Sequence, residues 1–256
     1  MEKLSFKVKK KISVILPNYN SEKYIKQTIQ SILKQSFKAW ELIIVDDCSN
    51  LKTKNILKSF KKNKKIKIFY LKKNRGAAYC RNFAIKKAQS QYLAFIDSDD
   101  VWKKNKLKKQ ILYMSSKNLD FSFTNYYAYF QKNRKLKKIK CPEIINFQKF
   151  TKNTSIGTST MVVKRNLVKN INFSKTKICE DYFYKCLILK KIKTAYCLND
   201  FLTIYRVRKQ SLQSDSLRNL YWVWQINKKY NKFSFFQNFI SLFFISINSI
   251  LKYGIK

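Results

Sequence analysis

Short apolar runs alternate with longer amphipathic runs along the first hundred residues of this sequence. The apolar runs cover residues 12–16, 42–45, 66–71 and 92–96, and the amphipathic runs between them cover residues 22–34, 54–60 and 77–88. Such alternation is typical of βαβ units, in which helices cover both faces of a parallel sheet. We therefore predict an α/β fold with a mainly parallel sheet flanked by helices.

Acidic residues gather where two of the predicted strands end. Asp46-Asp47 follow the run 42–45, and Asp97-Ser98-Asp99-Asp100 follow the run 92–96. Ligands of open α/β sheets bind beyond the carboxyl ends of the strands. The whole chain has only 14 acidic residues, so five of them at two strand ends predict a binding site there.

The three aspartates at positions 97, 99 and 100 predict a metal site. Carboxylates this close repel one another unless a cation joins them. Mg²⁺ and Mn²⁺ bind through one or two carboxylates together with substrate phosphates. We therefore expect Asp97, Asp99 and Asp100 to hold Mn²⁺ or Mg²⁺. The alternative is that Asp100 caps a helix over residues 103–115.

A second group of residues suits a nucleotide. Asn74-Arg75-Gly76, with Arg81 further on, places cationic groups at the start of a predicted helix, where phosphates bind well. Carboxylates at Asp46 and Asp47 can accept hydrogen bonds from a base or a ribose. The alternatives are an ordinary turn at Gly76 and a surface charge at Arg81.

The charge of the chain admits several partners. It carries 55 basic against 14 acidic residues, a net charge of +41, which attracts nucleic acid, phosphorylated substrates and anionic membranes alike. A broad bias in amino-acid usage would produce the same excess of lysine.

Other features of composition exclude whole classes of chemistry. Because the chain has no histidine, it cannot use a Ser/His/Asp or Cys/His nucleophile or an imidazole metal site. The six cysteines form no CxxC pair, which predicts buried, reduced thiols and a cytosolic protein. The N-terminus lacks the apolar run of about 7–15 residues that a secretory signal needs.

The second half of the chain has a different pattern. Residues 119–163 predict antiparallel strands with an irregular loop, residues 180–190 a helix and residues 194–205 a strand. Residues 216–256 are helical and apolar. The run 233–251 nearly reaches membrane-spanning length, but serines and asparagines interrupt it. It predicts a helix that lies in a membrane interface, or one that packs on protein or in an oligomer contact.

Taken together, these motifs resemble those of family 2 glycosyltransferases, in the same order and with the same spacing across residues 12–102. The motifs are Ile12 to Asn20 (ISVILPNYN), Ser31 to Ser36 (SILKQS), Glu41 to Ser49 (ELIIVDDCS), Asn74-Arg75-Gly76 with Arg81-Asn82, and Phe95 to Asp100 (FIDSDD). The resemblance implies a GT-A fold and inversion at the anomeric carbon.

The resemblance also implies roles for individual residues. Pro17, Tyr19 and Asp47 would frame the nucleotide base, with Asn20 supporting the turn. Asp97 would contact the ribose and Asp99 would bind the metal, with Asp100 as a helper.

Two later segments extend the likeness. Ile156-Gly157-Thr158-Ser159-Thr160 resembles the acceptor-side strand of the family, and Cys179-Glu180-Asp181 resembles its "ED" motif. Asp181 would then be the general base, and Glu180 would orient it or bind the acceptor. The alternative is that both acids only form the first turn of a helix.

The segment Tyr205 to Ser211 (YRVRKQS) resembles the closing loop of these enzymes, although the family often has histidine where Arg208 stands. Arg208 would neutralise the departing diphosphate, or it is simply solvated. The QxxRW signature of processive polymerases is absent, which favours the addition of a single sugar.

We therefore predict a metal-dependent inverting hexosyltransferase that moves one sugar from a UDP-sugar to a hydroxyl of a cell-surface glycan or lipid-linked oligosaccharide. It would work in the cytoplasm, peripherally at the inner face of an anionic membrane, with no nucleic-acid partner and with a homo-oligomer contact through the C-terminal helices. Residues 1–118 would bind the nucleotide and 119–215 the acceptor, with 216–256 as an extension. The alternatives are a basic nucleic-acid-binding protein and a nucleotidyltransferase.

Overall fold

The first half of the fold has the predicted alternation of strands and helices. This computed structural model describes residues 12–174, 176, 178–208 and 215–254. The elements of the first half are β1 (Ile12–Asn18), α1 (Ile25–Leu33), β2 (Trp40–Asp46), α2 (Leu51–Ser59), β3 (Ile66–Tyr70), α3 (Ala77–Lys87) and β4 (Tyr92–Phe95). All seven predicted elements are therefore confirmed.

The second half adds shorter strands and the C-terminal helices. These are β5 (Val101–Trp102), α4 (Lys106–Ser116), β6 (Phe121–Phe130), β7 (Lys135–Ile139), β8 (Ile144–Ile145), α5 (Phe147–Asn153), β9 (Val162–Lys164), α6 (Glu180–Lys191), β10 (Ala195–Val207), α7 (Ser216–Ile226) and α8 (Phe235–Tyr253). Single 3₁₀ segments cover Thr158–Thr160 and Arg165–Val168, and a π-helical segment, Asn227–Asn231, follows α7.

All described strands join one sheet in the order β3-β2-β1-β4-β9-β6-β10-β5, with β7 beside β6 and β8 beside β10. The strands β3, β2, β1 and β4 are parallel to one another. Strand β9 runs antiparallel between β4 and β6, so the second half of the sheet is mixed. The prediction of a mainly parallel sheet is confirmed for the first half, where the predicted nucleotide site lies.

Both faces of the central strands are buried. Ile15, Ile43 and Phe95 lie in one apolar cluster together with α3, α5 and α6. Their neighbours along the strands lie in the opposite cluster, against α1, α2 and α4. Burial on both faces explains why these strands read as continuous apolar runs rather than as alternating ones.

Two expectations about local structure were wrong. Asp100 does not cap the following helix, because α4 begins at Lys106 and Val101–Trp102 first form a strand against Thr203 and Ile204. Ile156 to Thr160 do not form a strand either. They lead into the 3₁₀ turn, and the strand starts at Val162, where pairing with Ala94 begins.

The six cysteines are free, as predicted. Cys80, Cys179, Cys186 and Cys197 are buried, and Cys48 and Cys141 are partly buried.

Helix α8 turns two polar residues inward and most of its large apolar residues outward. Asn238 and Ser241 are each 1% exposed, whereas Phe236 is 75% exposed. The Ser241 hydroxyl donates to the Thr151 carbonyl at 2.6 Å and accepts from Asn227 at 3.0 Å. The polar residues that interrupt the apolar run therefore fasten the helix to the protein. Within the described ranges, α8 is the one helix long and apolar enough to cross a membrane by length and composition.

The inward polar contacts of α8 generate a stability prediction. Ser241→Ala should lower the free energy of unfolding by about 1–3 kcal/mol, because it removes a buried partner of the Thr151 carbonyl and leaves the Asn227 side-chain amide with only its hydrogen bond to Asn238. Ser249→Ala, on the same helix and partly exposed, is the matched control and should be neutral or slightly stabilising, since alanine is the better helix former. Urea unfolding curves measure both, and equal effects of the two variants would contradict the role given to Ser241.

Candidate active site

The site begins at the carboxyl ends of β1 and β2, which buried side chains connect to each other. Asn18 pairs with Asp46 across the two strands. The Asn18 side-chain amide donates to an Asp46 carboxylate oxygen at 2.6 Å, and the other oxygen accepts from the Ser49 amide at 3.2 Å. Asp46 has no exposed surface. Its carboxylate fixes the strand ends and lies behind the surface that a nucleotide could touch.

Asp47, the next residue, shapes the loop that precedes α3. Its two carboxylate oxygens accept from the backbone amides of Arg75 and Gly76, each at 2.7 Å. Gly76 has φ +84°, a left-handed conformation that suits glycine. The exposed side chain of Asn74 stands in the same loop. Asp47 therefore acts on the predicted nucleotide site by holding this loop at the start of a helix.

The loop after β1 presents an aromatic ring to solvent. Pro17 is buried, whereas Tyr19 is 52% exposed. Asn20 has φ +42°, which asparagine tolerates better than most residues. Its side-chain oxygen accepts a hydrogen bond from the backbone amide of Asn50 at 2.8 Å. The turn is thereby anchored to the loop after β2, and the Tyr19 ring stands at the edge of the sheet.

Arg81 connects this side of the site to the opposite side. Its guanidinium donates to Asp97 at 2.7 Å and to Glu180 at 2.8 Å. Arg81 is 5% exposed, so the alternative of a surface charge is wrong. Burial raises the pKa of Glu180, and the ion pair with Arg81 opposes that shift. One buried cation thus brings the end of β4, helix α3 and the first turn of α6 together.

The 3₁₀ turn Thr158–Thr160 forms a second connection. The Ser159 hydroxyl accepts from the Asp97 amide at 3.0 Å, and the Thr158 hydroxyl donates to Asp181 at 3.0 Å. The resemblance implies a strand for this segment and no role for either hydroxyl. The feature of the sequence that could have indicated these contacts is the run of hydroxyl residues directly after Gly157.

Asp181 is held as an anion. It lies in the first turn of α6, and its Oδ2 accepts from Lys185 at 2.7 Å. Burial by itself raises the pKa of Asp181, but the charge and hydrogen bond of Lys185, together with Arg81 and Thr158, outweigh it and hold the pKa well below its usual range. The sequence analysis missed Lys185, although a lysine four residues after an aspartate is a common helical pair.

Two arginines from the end of β10 hold the Asp97-to-Asp100 segment. Arg208 contacts the Asp99 carboxylate at 2.6 Å. Arg206 donates to the Asp99 carbonyl and to Gln27 through its guanidinium, and its backbone amide donates to Asp100 at 3.0 Å. Lys209, Gln210 and Ser211 of the predicted closing loop lie outside the described residues.

Asp99 and Asp100 occupy different environments. Asp100 is fully buried, and one of its oxygens has no hydrogen-bond partner among the residues that the structure describes. Burial raises its pKa well above the usual range, with the charges of Asp99 and Asp97 adding to the effect. Burial also raises the pKa of Asp99, and Arg208 opposes that shift. Asp100 therefore lies too deep to help bind a metal, whereas Asp99 is partly exposed.

The carboxylates fit a divalent cation only in part. Across the described ranges, no group of three or more Cys, Asp or Glu side chains could enclose a metal ion. Asp97 and Asp99 offer two carboxylates, and Mg²⁺ typically takes one or two protein carboxylates with substrate phosphates completing its shell. The donor set thus fits a cation that arrives with a diphosphate.

The comparison with known proteins decides the family. Residues 13–171 match glycosyl transferase family 2. This chain belongs to that family. It is 38% identical over 226 residues to the glycosyltransferase TuaG of Bacillus subtilis (strain 168), which is named for teichuronic acid biosynthesis; the alignment covers 88% of this chain and 90% of TuaG.

A second relative and two solved structures agree with this assignment. The chain is 34% identical over 216 residues to the Escherichia coli enzyme WfgD, a UDP-Glc:α-D-GlcNAc-diphosphoundecaprenol β-1,3-glucosyltransferase, covering 84% of each chain. S. aureus TarS residues 1–349 in complex with UDP-GlcNAc superpose with a TM-score of 0.73 at 23% identity, covering 95% of this chain and 76% of that one. The Pyrobaculum calidifontis mannosyltransferase PcManGT, solved with GDP-Man and Mn²⁺, gives 0.68 at 15% identity, covering 95% and 70%. The predicted GT-A fold of this family 2 glycosyltransferase is confirmed.

The Lys185 contact generates a pH-dependent prediction. Lys185→Met should lower the free energy of unfolding by about 3 kcal/mol at pH 7, because it removes one partner of a buried pair. The folded pKa of Asp181 is depressed, so this contribution is complete above the unfolded pKa, about 3.9, and is lost as the pH falls through the folded pKa. The difference between wild type and Lys185→Met should therefore shrink below pH 4 in urea titrations.

Lys109→Met is the matched control for this prediction. Lys109 pairs with Asp200 at 2.9 Å, but the pair is exposed, and such pairs contribute about 0–1 kcal/mol. A Lys185 effect that stays constant from pH 7 down to pH 2 would show that Asp181 is not its partner.

Proposed function

We propose that this family 2 glycosyltransferase is an inverting enzyme that moves one sugar from a UDP-sugar to a hydroxyl of a cell-surface glycan or lipid-linked acceptor. The observation that carries the proposal is the Arg81 bridge, which joins Asp97 on the nucleotide side to Glu180 beside Asp181. The likeness to TuaG and to WfgD supports the acceptor class, and the likeness to TarS, solved with UDP-GlcNAc, supports the donor class. Membership of the family decides against a nucleic-acid-binding protein and a nucleotidyltransferase.

The donor would lie along the carboxyl edge of the first four strands, within residues 1–118. Tyr19 and Pro17 flank the place of the base, and Asp47 holds the loop that carries Asn74 and Gly76. Backbone amides at the start of α3 suit a diphosphate or a base carbonyl. Arg208, next to Asp99, would neutralise the diphosphate as it leaves.

Asp99, with Asp97 beside it, would hold the Mn²⁺ or Mg²⁺ ion of a metal-dependent reaction. When bound, such an ion stabilises the negative charge that develops on the leaving diphosphate. Both carboxylates pair with arginines. With an ion on Asp99, Arg208 would pair with the phosphates of the donor, which a guanidinium group binds well.

Asp181 would be the general base on the acceptor side, within residues 119–215. The acceptor oxygen forms a bond to the anomeric carbon, the bond from that carbon to the diphosphate oxygen breaks, and Asp181 takes the hydroxyl proton. The configuration of the sugar inverts because the two oxygens lie on opposite faces. A positioned base contributes about 10²–10⁴-fold to such a step. Lys185, Arg81 and Thr158 offset the burial that would otherwise favour the protonated form of Asp181, so its carboxylate is ionised at neutral pH.

The acceptor class supports a position in the cytoplasm at the inner face of the membrane. WfgD acts on a sugar linked to diphosphoundecaprenol, and lipid-linked substrates of this kind are confined to a bilayer. The net charge of +41 favours contact with anionic lipids. The C-terminal segment 216–256 would mediate that contact or an oligomer.

The base assignment predicts a specific loss of activity. Asp181→Asn should keep UDP affinity within about twofold while transfer falls by about 10²-fold or more, because the amide cannot accept the proton. Turnover is measured as UDP release from a donor that stabilises the protein, in the presence of acceptor. Asp200→Asn, which changes an exposed carboxylate, is the control and should be fully active. Equal turnover of Asp181→Asn and wild type would remove Asp181 from the mechanism.

The donor and metal assignments predict a pattern of thermal stabilisation. UDP and UDP-sugars should raise the melting temperature more with Mn²⁺ than without it, because ligands that bind only the folded state stabilise it. Asp99→Ala should lose the Mn²⁺-dependent part and keep the part due to the nucleotide, whereas Asp200→Ala should keep both. If UDP raised the melting temperature of wild type equally with and without Mn²⁺, metal dependence would be overturned and the glycosyltransferase proposal would stand.

A further inference from the structure

The outward face of α8 is an apolar surface in contact with solvent. Its large side chains, which are 54–75% exposed, are Phe235, Phe236, Phe239, Phe243 and Leu251. The inward face carries the hydrogen-bonded Asn238 and Ser241 together with Ile245 and Leu242, which pack in the core. A helix in a soluble protein usually turns a polar face to solvent, and contiguous exposed apolar patches mark binding surfaces.

An open pocket of about 440 Å³ lies beside the C-terminal end of this face. Residues that line it include Lys137, Lys140, Asn153, Ser155, Asn248 and Lys252. The Lys252 ammonium donates to the Asn153 carbonyl at 2.6 Å, and Lys137 donates to the Leu251 carbonyl at 2.8 Å. Lys138 also lines the pocket, and no carboxylate from the described part of the chain forms an ion pair with any of its four lysines.

Two groups in the pocket lack the partner that an anion would supply. Ser155 is 1% exposed, and its hydroxyl has no hydrogen-bond partner within the described ranges. Burying an unpaired hydroxyl costs free energy unless a ligand or a water molecule forms a hydrogen bond with it. Burial lowers the pKa of Lys252 to about 8, and an anion beside the ammonium would reverse that shift. A phosphate oxygen accepts hydrogen bonds from both kinds of group.

We propose that α8 docks on an anionic lipid bilayer and that the adjoining lysine pocket binds the phosphate of a lipid headgroup. The charge of this region favours lipid over a second copy of the chain. No aspartate or glutamate follows Asp215 in the sequence, whereas lysines flank the apolar face. Two copies joined through α8 would bring like charges together without acidic partners, but an anionic bilayer complements both the apolar face and the lysines.

This surface is connected to the active site through aromatic contacts. The Tyr253 hydroxyl at the end of α8 is hydrogen-bonded to that of Tyr126 at 2.6 Å, and Tyr205 packs near both rings. Tyr205 precedes Arg206 on β10, which holds Asp99 and Asp100. Docking through α8 therefore fixes the candidate active site close to the bilayer. The inference deepens the proposed function and rests on it, because an enzyme that acts on a lipid-linked acceptor must have its active site near the bilayer surface.

Vesicle sedimentation of the full chain tests the apolar face. Wild type should bind phosphatidylglycerol-containing vesicles strongly and phosphatidylcholine vesicles weakly, with binding that falls as salt rises. The double variant F239S/F243S should lose at least about tenfold in affinity, since two exposed rings no longer enter the bilayer. The matched control is L51S/L112S, which removes two exposed leucines from α2 and α4 and should bind as wild type does.

Two single variants test the pocket. Lys140→Gln should weaken binding to anionic vesicles about fivefold, whereas Lys61→Gln, an exposed lysine elsewhere, should have a smaller effect. Ser155→Ala should weaken the same binding without lowering the melting temperature, because it removes a buried hydroxyl that has no partner. Inorganic phosphate is included as a separate ligand. Stabilisation by phosphate that matches stabilisation by vesicles and vanishes in Ser155→Ala would identify a free-phosphate site and overturn the lipid assignment.

Other outcomes also decide the matter. Vesicle binding that F239S/F243S leaves unchanged would overturn the proposal, as would a lipid-free dimer that this variant dissociates. UDP binding is followed by thermal shift in the same samples and should be equal in all five variants. Vesicle binding without any UDP binding would refute the proposed donor and leave the docking surface standing, whereas UDP binding without vesicle binding would refute only the docking surface.

Discussion

A single buried guanidinium holds the two sides of the candidate site in one place. Because Arg81 is buried, water stabilises its positive charge only weakly, and the protein must compensate that charge. Asp97 and Glu180 do so from two segments that are distant in the sequence. Only arginine presents donors in a planar fork that can bind two carboxylates at once. These contacts join the end of β4 directly to the first turn of α6, and the hydrogen bonds of Ser159 to Asp97 and of Thr158 to Asp181 join the same two elements through the 3₁₀ turn.

Environment gives each nearby carboxylate a different state. Asp181 stays ionised because Lys185 and Thr158 bind it, whereas burial disfavours the charged form of Asp100. Asp99 lies between these extremes, partly exposed and paired with Arg208. When neighbouring carboxyl groups have different pKa values, one can be ionised while another carries a proton. The same type of side chain can then take different roles in one site. In this site Lys185 keeps Asp181 of α6 ionised, whereas burial favours the neutral form of Asp100.

The C-terminal helices show what orientation adds to composition. The serines and asparagines of α8 count against a membrane-spanning helix, and the structure turns two of them, Asn238 and Ser241, toward Asn227 and Thr151. The face left outside is therefore more apolar than the average of the helix. The same burial of polar groups anchors α8 against α5 and α7 and connects it through Tyr253 to the strand that bears Arg206 and Arg208.

The sequence by itself determined the α/β class, the parallel first half of the sheet and the family, because apolar periodicity and motif order are local properties of the chain. It also placed the acidic residues at strand ends, since a buried strand ends close to the end of its apolar run. Only the tertiary structure decided which side chains face the site. Asp46 and Asp100 have no exposed surface, Asp47 is buried against the loop before α3, and Asp99 is partly exposed. The contacts of Arg81, Thr158, Ser159 and Lys185 were likewise beyond the sequence, because most of them join residues far apart along the chain and depend on how the sheet brings its segments together.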